Sequence, residues 1–231
     1  MKHLGIFGGT FNPIHYGHLR VAVEVLDQFN LDKILFIPSA QPPHKSLSDI
    51  ADAFDRLKMT QLAILSYPLF ECSNIETKRQ GFSYTIDTIH ELLNRYPHDF
   101  QFYYLIGKDA FFAIHTWKSF EKLFEIIPFI VMSRPVLWHD SKIINDQFIE
   151  YIQQTISKDY VHLTQEKCMI HPNKKRIYYC QVTALDISSS QIRKSLKNKR
   201  PIHYLLPDTV LDYIHDNKLY ETRNCYDQKR S

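Results

Sequence analysis

The residues best suited to chemistry lie near the N-terminus, in the segment Gly8-Gly9-Thr10-Phe11-Asn12-Pro13-Ile14-His15-Tyr16-Gly17-His18. The chain has only six glycines, and four of them fall within the first 17 residues. Glycine lets the backbone approach a ligand closely, and backbone N–H groups at a helix start bind anions. Two histidines three positions apart would add imidazole donors. The segment therefore favours a phosphate site over a structural turn, and over a metal pair that lacks a nearby third ligand.

A second segment, Ile187-Ser188-Ser189-Ser190-Gln191-Ile192-Arg193, has two interpretations. Ser188 and Gln191 fit a capping box, which requires nothing more than a well-capped helix. Arg193 near the helix start adds the alternative that hydroxyls, amide donors and a guanidinium converge on a phosphate. The residues alone leave both interpretations open.

A third segment places Gly107, Lys108 and Asp109 before Trp117 and Lys118. An acid after a strand-end glycine can hold a ribose, and an exposed tryptophan can stack on a flat ring. Taken alone, these residues favour simpler roles. Asp109 would cap a helix and Trp117 would pack in the core.

The elements that must position these segments alternate between strands and helices. Apolar runs predict strands at 2–7, 33–38, 69–75, 100–106, 129–133 and 177–182, and helical spacing predicts helices from 17 onward and at 48–65, 84–95, 110–126, 188–198 and 207–217. This order predicts an α/β fold: a Rossmann-like, doubly wound, mostly parallel sheet with helices on both faces and a C-terminal helical segment. Ligands of such sheets bind beyond the carboxyl ends of the strands. We expect one domain over residues 1–231, with 136–176 as an insertion or a helical excursion at the surface and 221–231 as a polar tail.

Taken together, the segments resemble a known family. Residues 8–18 are similar to the G-G-T-F-[DN]-P-[IV]-H-x-G-H signature of the HxGH nucleotidyltransferases, and 187–193 to their I-S-S-[ST]-x-[IL]-R signature. Within that superfamily, Pro42-Pro43-His44-Lys45, Ser83–Thr88 and Gly107–Asp109 with Trp117-Lys118 resemble the bacterial nicotinate-nucleotide adenylyltransferases. The resemblance runs from about Lys2 to Tyr220.

The resemblance implies a reaction in which nicotinate mononucleotide attacks the α-phosphorus of ATP, giving nicotinate adenine dinucleotide and pyrophosphate. It implies catalytic roles for His15, His18 and Arg193. It implies ATP contacts from Gly8, Gly9, Thr10, Phe11, Gly107, Asp109, Ser188 and Ser189, and nicotinate mononucleotide contacts from Lys45, Tyr84, Thr85, Trp117, Lys118 and Arg134. Mg²⁺ is expected on the phosphates, held mainly by substrate oxygens, with no metal site built from protein ligands.

Three alternatives remain beside that activity. The acceptor could be nicotinamide mononucleotide, which the same superfamily also uses. A chain that kept the fold without catalysis would be a nucleotide sensor, although the intact histidine pair and Arg193 argue against it. An RNA-binding module would rest on the short basic clusters at 197–200 and 229–230, which are more often simply solvated.

Composition limits the remaining classes. With 28 Lys+Arg against 25 Asp+Glu, the net charge of +3 is too small to argue for a nucleic-acid partner. Apolar runs stay well short of the roughly 18 residues of a membrane helix. The apolar N-terminal stretch is too short for a signal peptide, so we expect a cytoplasmic protein with no membrane partner. The four cysteines form no C-x-x-C pair, which favours reduced thiols.

Overall fold

The computed structural model describes residues 1–43, 50–97, 99–133 and 141–221. The strands are β1 (Lys2–Gly9), β2 (Lys33–Pro38), β3 (Phe70–Cys72), β4 (Phe100–Gly107), β5 (Phe129–Ser133), β6 (Val161–Leu163), β7 (Cys168–Ile170) and β8 (Ile177–Gln181). The α-helices are α1 (Tyr16–Gln28), α2 (Ala53–Ile64), α3 (Thr85–Arg95), α4 (Lys108–Phe112), α5 (Phe120–Ile126), α6 (Ser141–Tyr151), α7 (Ser189–Lys197) and α8 (Asp208–Asp216).

The strands form one sheet of eight, in the order β3-β2-β1-β4-β5-β8-β7-β6. The first six pair in parallel, and β7 and β6 add an antiparallel edge. Strands covered on both faces read as continuous apolar runs. All five residues of β5 are buried, as are five of the six in β2. The predicted α/β class with a mostly parallel sheet is confirmed.

Helices cover both faces of the sheet, and each face has its own apolar core. On one face, α1, α2, α7 and α8 pack on side chains such as Phe7, Phe36 and Ile130. On the other, α3, α4, α5 and α6 pack on side chains such as Ile6, Tyr104 and Phe129. Alternate residues of one strand thus serve opposite cores, which is the period-two geometry of a strand.

The order of the strands reverses between β1 and β4. The chain runs from β1 outward through β2 to β3, and then returns to place β4 on the other side of β1. Phe7 pairs with Leu105, so the carboxyl ends of both strands open at the same edge. In open α/β sheets this reversal leaves a crevice where ligands bind. The segments after β1 and β4 are two of those whose residue types indicated chemistry.

The continuous helix predicted over 110–126 is wrong. The chain forms α4, a short 3₁₀ turn at Ile114–Thr116, and then α5. Trp117 has an extended backbone (φ −82°, ψ 145°), and Ser119 is left-handed (φ 52°). Neither conformation continues a helix. Trp117 therefore lies in an extended segment between α4 and α5 and not within a helix.

The interpretation of 136–176 as a surface excursion also needs correction. Helix α6 and the π-helix at Ile152–Ile156 fit a helical excursion, but β6 and β7 extend the central sheet. Phe148, Ile152, Tyr160 and Met169 are buried in the core. The segment is therefore an integral part of the fold over the residues described from 141 onward.

The other predicted helices begin and end close to their predicted bounds. The largest difference is α2, which begins at Ala53, because Asp52 is its N-cap and accepts a hydrogen bond from the backbone N–H of Phe54 at 2.8 Å. Strand β3 is shorter than predicted, at three residues. Within the described ranges, no helix has the length and apolar character needed to cross a membrane.

Candidate active site

A cavity of about 330 Å³ opens at the carboxyl ends of β1 and β4. We call it the central cavity. Its walls come from both strand ends, from the segment after β2, from the start of α3 and from the break before α5; they include Gly8, Gly9, Thr10, Ser39, Glu76, Ser83, Tyr84, Thr85, Tyr104, Gly107, Trp117 and Lys118. Eight of the predicted site residues therefore share one cavity, although they are spread over more than a hundred positions of the chain.

The aromatic wall of the central cavity combines Trp117 and Tyr84. Trp117 is half-buried, and its ring meets Tyr104 edge-on at 6.1 Å between centroids. It packs against the core and also forms part of the cavity wall, so the expectation that it packs in the core holds only in part. Lys118 places its ammonium 4.6 Å from the Tyr84 ring centroid and 3.0 Å from the Asp87 carboxylate. This wall presents flat apolar faces beside a cation, which suits a flat anionic ring.

The two histidines pack against each other at the start of α1. Their ring centroids are 3.8 Å apart, and the backbone N–H of His15 donates to Nδ1 of His18 at 3.3 Å. Neutral His18 then carries its proton on Nε2, where it can be donated. A side chain at Gly17 would displace the His15 ring, because a Cβ there would lie 2.9 Å from Nδ1 of His15. The H-x-G-H spacing thus has a packing reason as well as a chemical one.

Helix α7 is fastened to the segment between β1 and α1. Ser189 donates through its hydroxyl to the carbonyl of Pro13 at 2.8 Å, and Arg193 donates through Nη1 to the carbonyl of Asn12 at 2.9 Å. Ser188 and Gln191 form the predicted capping box, with bonds of 3.2 and 3.1 Å. The two signature segments are therefore in direct contact, and the hydroxyl of Ser188 is already engaged as a cap.

Four predicted residues are placed differently or lie outside the described ranges. Phe11 has a left-handed backbone (φ 46°), and its side chain is buried against the His18 ring at 5.1 Å. Asp109 is exposed in the first turn of α4 and is not part of the central cavity wall. It does not cap the helix either, since Gly107 is the N-cap. Lys45 and Arg134 lie outside the described residues.

Sequence reasoning missed Arg56, whose side chain is 1% exposed. Its guanidinium donates to the backbone carbonyls of Thr10 at 2.9 Å, Ser39 at 2.5 Å, Ala40 at 2.9 Å and Ala51 at 2.9 Å. Burial lowers the pKa of Arg56, and nearby acids oppose that shift. The residue ties the end of the β1 loop to the end of β2. An isolated arginine inside a helical pattern carries no sequence signal for this role.

Sequence reasoning also missed Glu76, a buried acid on the cavity wall. The hydroxyl of Thr88 donates to its carboxylate at 2.7 Å, and Ser83 hydrogen-bonds it as well. Burial raises the pKa of Glu76, and these two hydrogen bonds oppose the rise. Ser83 also accepts backbone N–H bonds from Ala40 at 2.9 Å and Gln41 at 3.3 Å. Glu76 thus holds both ends of the Ser83–Thr88 segment.

Comparisons with known proteins identify the family of this chain. Residues 6–195, more than half of the chain, match the model of the cytidylyltransferase-like family. A protein of Geotalea daltonii, named "Probable nicotinate-nucleotide adenylyltransferase", is 40% identical over 94% of this chain and 97% of its own. One of Citrifermentans bemidjiense with the same name is 42% identical over 94% and 97%. The chain belongs to the nicotinate-nucleotide adenylyltransferase family. The family membership that the signatures predicted is confirmed.

A solved structure supports the fold of this family member. The Plasmodium falciparum nicotinic acid mononucleotide adenylyltransferase complexed with NaAD superposes with a TM-score of 0.69, covering 95% of this chain and 98% of its own. At 23% identity the likeness speaks for the fold alone.

Proposed function

We propose that this protein transfers AMP from ATP to nicotinate mononucleotide, giving nicotinate adenine dinucleotide and pyrophosphate. The central observation is the contact between the two signature segments beside a cavity at the point where the strand order reverses. The cavity presents the aromatic rings of Trp117 and Tyr84, and the segment between β1 and α1 beside it carries donors suited to phosphate. Two nucleotides that meet end to end need that arrangement.

The central cavity takes the acceptor mononucleotide. Its pyridine ring lies against Trp117 and Tyr84, and its carboxylate faces the start of α3, where Thr85 is the first helical residue. Helix starts favour negative charge, and no side chain among the described residues caps this one. Lys118 lies at the same wall, where its ammonium is paired with Asp87 and keeps further N–H donors for the ligand. Lys45 and Arg134 complete the predicted acceptor contacts as proposals that rest on the resemblance.

The ATP phosphates lie over the segment between β1 and α1. Backbone groups of Gly8, Gly9, Thr10 and Phe11 face them from one side, and Arg193 faces them from the α7 side. Ser188 and Ser189 are proposed contacts there as well, and their hydroxyls would have to exchange their bonds to Gln191 and Pro13 for bonds to phosphate. Arg193 has five N–H donors, so its bond to Asn12 leaves others for a phosphate. His15 packs against His18 and orients it. Gly107 and Asp109, at the end of β4, are the proposed adenosine and ribose contacts.

The reaction needs no enzyme nucleophile. A phosphate oxygen of the mononucleotide forms a bond to the α-phosphorus as the bond to the bridging oxygen breaks, and pyrophosphate leaves with that electron pair. Catalysis then depends on positioning and on stabilising charge. Nε2 of His18 donates to a phosphate oxygen that gains charge, and Arg193 opposes the charge of the leaving pyrophosphate.

Mg²⁺ is proposed to arrive with the triphosphate. The donor set near α1 and α7 consists of N–H, imidazole and guanidinium groups, and the described residues hold no group of three or more His, Cys, Asp or Glu that could bind a metal. Such a set suits a cation carried on substrate oxygens. When bound, the ion neutralises phosphate charge. We also propose a cytoplasmic location, which agrees with the free thiols of Cys72, Cys168 and Cys180.

The deciding experiment is pyrophosphate release with ATP and each of the two pyridine mononucleotides. We expect the acid to be preferred over the amide by about 100-fold in kcat/KM, because a carboxamide leaves buried donors facing its NH₂ group at about 1–3 kcal/mol each. Equal efficiency with both would indicate an enzyme of dual specificity, and a preference for the amide would indicate a nicotinamide-specific one. Nucleotide binding without release of pyrophosphate would favour the sensor.

A further inference from the structure

The floor of the central cavity carries a hydroxyl that no predicted role uses. Tyr104 lies in β4, is 6% exposed, and contributes to the cavity wall. Its Oη is 3.4 Å from Oγ1 of Thr85. A Cβ built on Gly8 would lie only 2.7 Å from the same Oη. The hydroxyl therefore sits between the glycine loop and the start of α3.

Together, the hydroxyls of Tyr104 and Thr85 have one proton that their shared hydrogen bond does not use. Burial raises the pKa of Tyr104, so the phenol stays protonated throughout the physiological range. Thr85 is its hydrogen-bond partner within the described part of the chain. Two hydroxyls carry two protons, and a bond between them uses one. Buried hydroxyls are normally paired, so the remaining proton calls for an acceptor in the cavity.

We propose that the Tyr104 hydroxyl is a specificity-determining donor that binds the carboxylate of the nicotinate ring. The inference rests on the proposed function, which places that ring between Trp117 and the start of α3. When a carboxylate binds, the 3.4 Å bond between the two hydroxyls is exchanged for one bond from each of them to a carboxylate oxygen, so Tyr104 and Thr85 both donate. A carboxamide that turns its oxygen to one hydroxyl turns its NH₂ group toward the other.

The proposal also explains Gly8. Most of the glycine-rich segment is explained by closeness to phosphate, but a side chain at this position would displace the Tyr104 hydroxyl before it met any ligand. Gly8 thus keeps open the space in which the phenol oxygen lies. The same residue serves the phosphate side through its backbone and the acceptor side through the absence of a Cβ.

The test is Tyr104→Phe, which removes one oxygen and keeps the ring. Tyr103→Phe is the matched control, because Tyr103 is the neighbouring residue in β4, is half-buried, and packs its ring 6.2 Å from Tyr178 on the other face of the sheet. We expect the KM for nicotinate mononucleotide to rise about 10- to 100-fold in Tyr104→Phe, the scale for losing a hydrogen bond to a charged group. The KM for ATP and the efficiency with the amide should change less than about threefold. Tyr103→Phe should match wild type throughout.

Other results would overturn the inference. They are an unchanged KM for nicotinate mononucleotide, an equal loss for acid and amide, or a parallel rise in the KM for ATP. Melting curves followed by circular dichroism identify a temperature at which every variant is folded, and the kinetic assays are run at that temperature. The wild-type measurement separates the two proposals: no turnover of nicotinate mononucleotide by wild type refutes the function itself, whereas wild-type turnover with an unaffected Tyr104→Phe refutes only the role of the hydroxyl.

Discussion

Replacing Arg56 with lysine should destabilise the protein although the charge is kept. The guanidinium makes four hydrogen bonds to backbone carbonyls, through three nitrogens of a planar group. Lysine has one nitrogen on a differently shaped side chain, so we expect at least two of the four carbonyls to lose their donor. Each buried acceptor left unpaired costs about 1–3 kcal/mol. The expected loss in free energy of unfolding is therefore about 2–6 kcal/mol.

Thermal melting and urea titration measure this loss. For a chain of this size, 1 kcal/mol corresponds to about 2–4 °C in Tm, so a loss of about 3 kcal/mol lowers Tm by about 6–12 °C. Arg20→Lys is the control. Arg20 is a half-exposed residue of α1 whose ion pair with Glu24 is 2.6 Å long. The same substitution there should cost less than about 0.5 kcal/mol.

The substitution should also affect ATP binding, because the Thr10 carbonyl accepts a hydrogen bond from Arg56 and the Thr10 backbone is a proposed phosphate contact. When its carbonyl is released, the peptide that precedes Phe11 can rotate, so we expect the KM for ATP to rise as well. An Arg56→Lys variant within 1 kcal/mol of wild type, with unchanged KM values, would refute the argument that this residue holds the two loops together.

Three further predictions concern the site. His18→Ala should lower kcat by about 10²–10³-fold with little change in Tm, since the side chain is only partly buried; a lower Tm with normal kcat would mean a structural role against Phe11. Glu76→Gln should change the pH dependence of stability. Burial raises the pKa of Glu76 in the folded protein above 4.5, so its contribution to wild-type stability falls as the pH rises from about 4.5 toward that folded pKa. Urea titrations of the variant at several pH values should lack this fall. Chelation of Mg²⁺ should stop pyrophosphate release and leave the melting curve of the free protein unchanged, whereas a loss of structure would reveal a protein-held metal.

Much of the fold follows from patterns that are local in the chain. The bounds of β2 and β5 match their predicted apolar runs, because strands buried on both faces leave no ambiguity of period. The break at Trp117 does not follow from such patterns. It depends on a left-handed Ser119, and serine gives no signal for that conformation in the way glycine would. The sequence does not predict strands β6 and β7, because a strand of three residues is too short to show an alternating pattern.

The candidate site also contains residues that the sequence predicts and residues that it does not. The glycine-rich segment and the serine–arginine segment are each continuous in the chain, so residue types and spacing alone make them recognisable. Arg56 and Glu76 carry no such signal, because each acts on residues far away in the chain. Arg56 contacts a carbonyl 46 positions earlier, and Glu76 contacts a hydroxyl 12 positions later. Only the packing of the helices on the sheet brings those partners together.

The fastening of α7 to the segment after β1 affects how the protein is made. Ser189 and Arg193 reach carbonyls that precede them by 176 and 181 positions. A ribosome adding about 5–20 residues per second releases the glycine-rich segment many seconds before α7 exists. The nascent chain can build its first strands early, but the proposed phosphate site is completed only when synthesis is almost finished. A polypeptide that ends before residue 189 would therefore lack the proposed ATP contacts of Ser189 and Arg193, and we expect it to release no pyrophosphate.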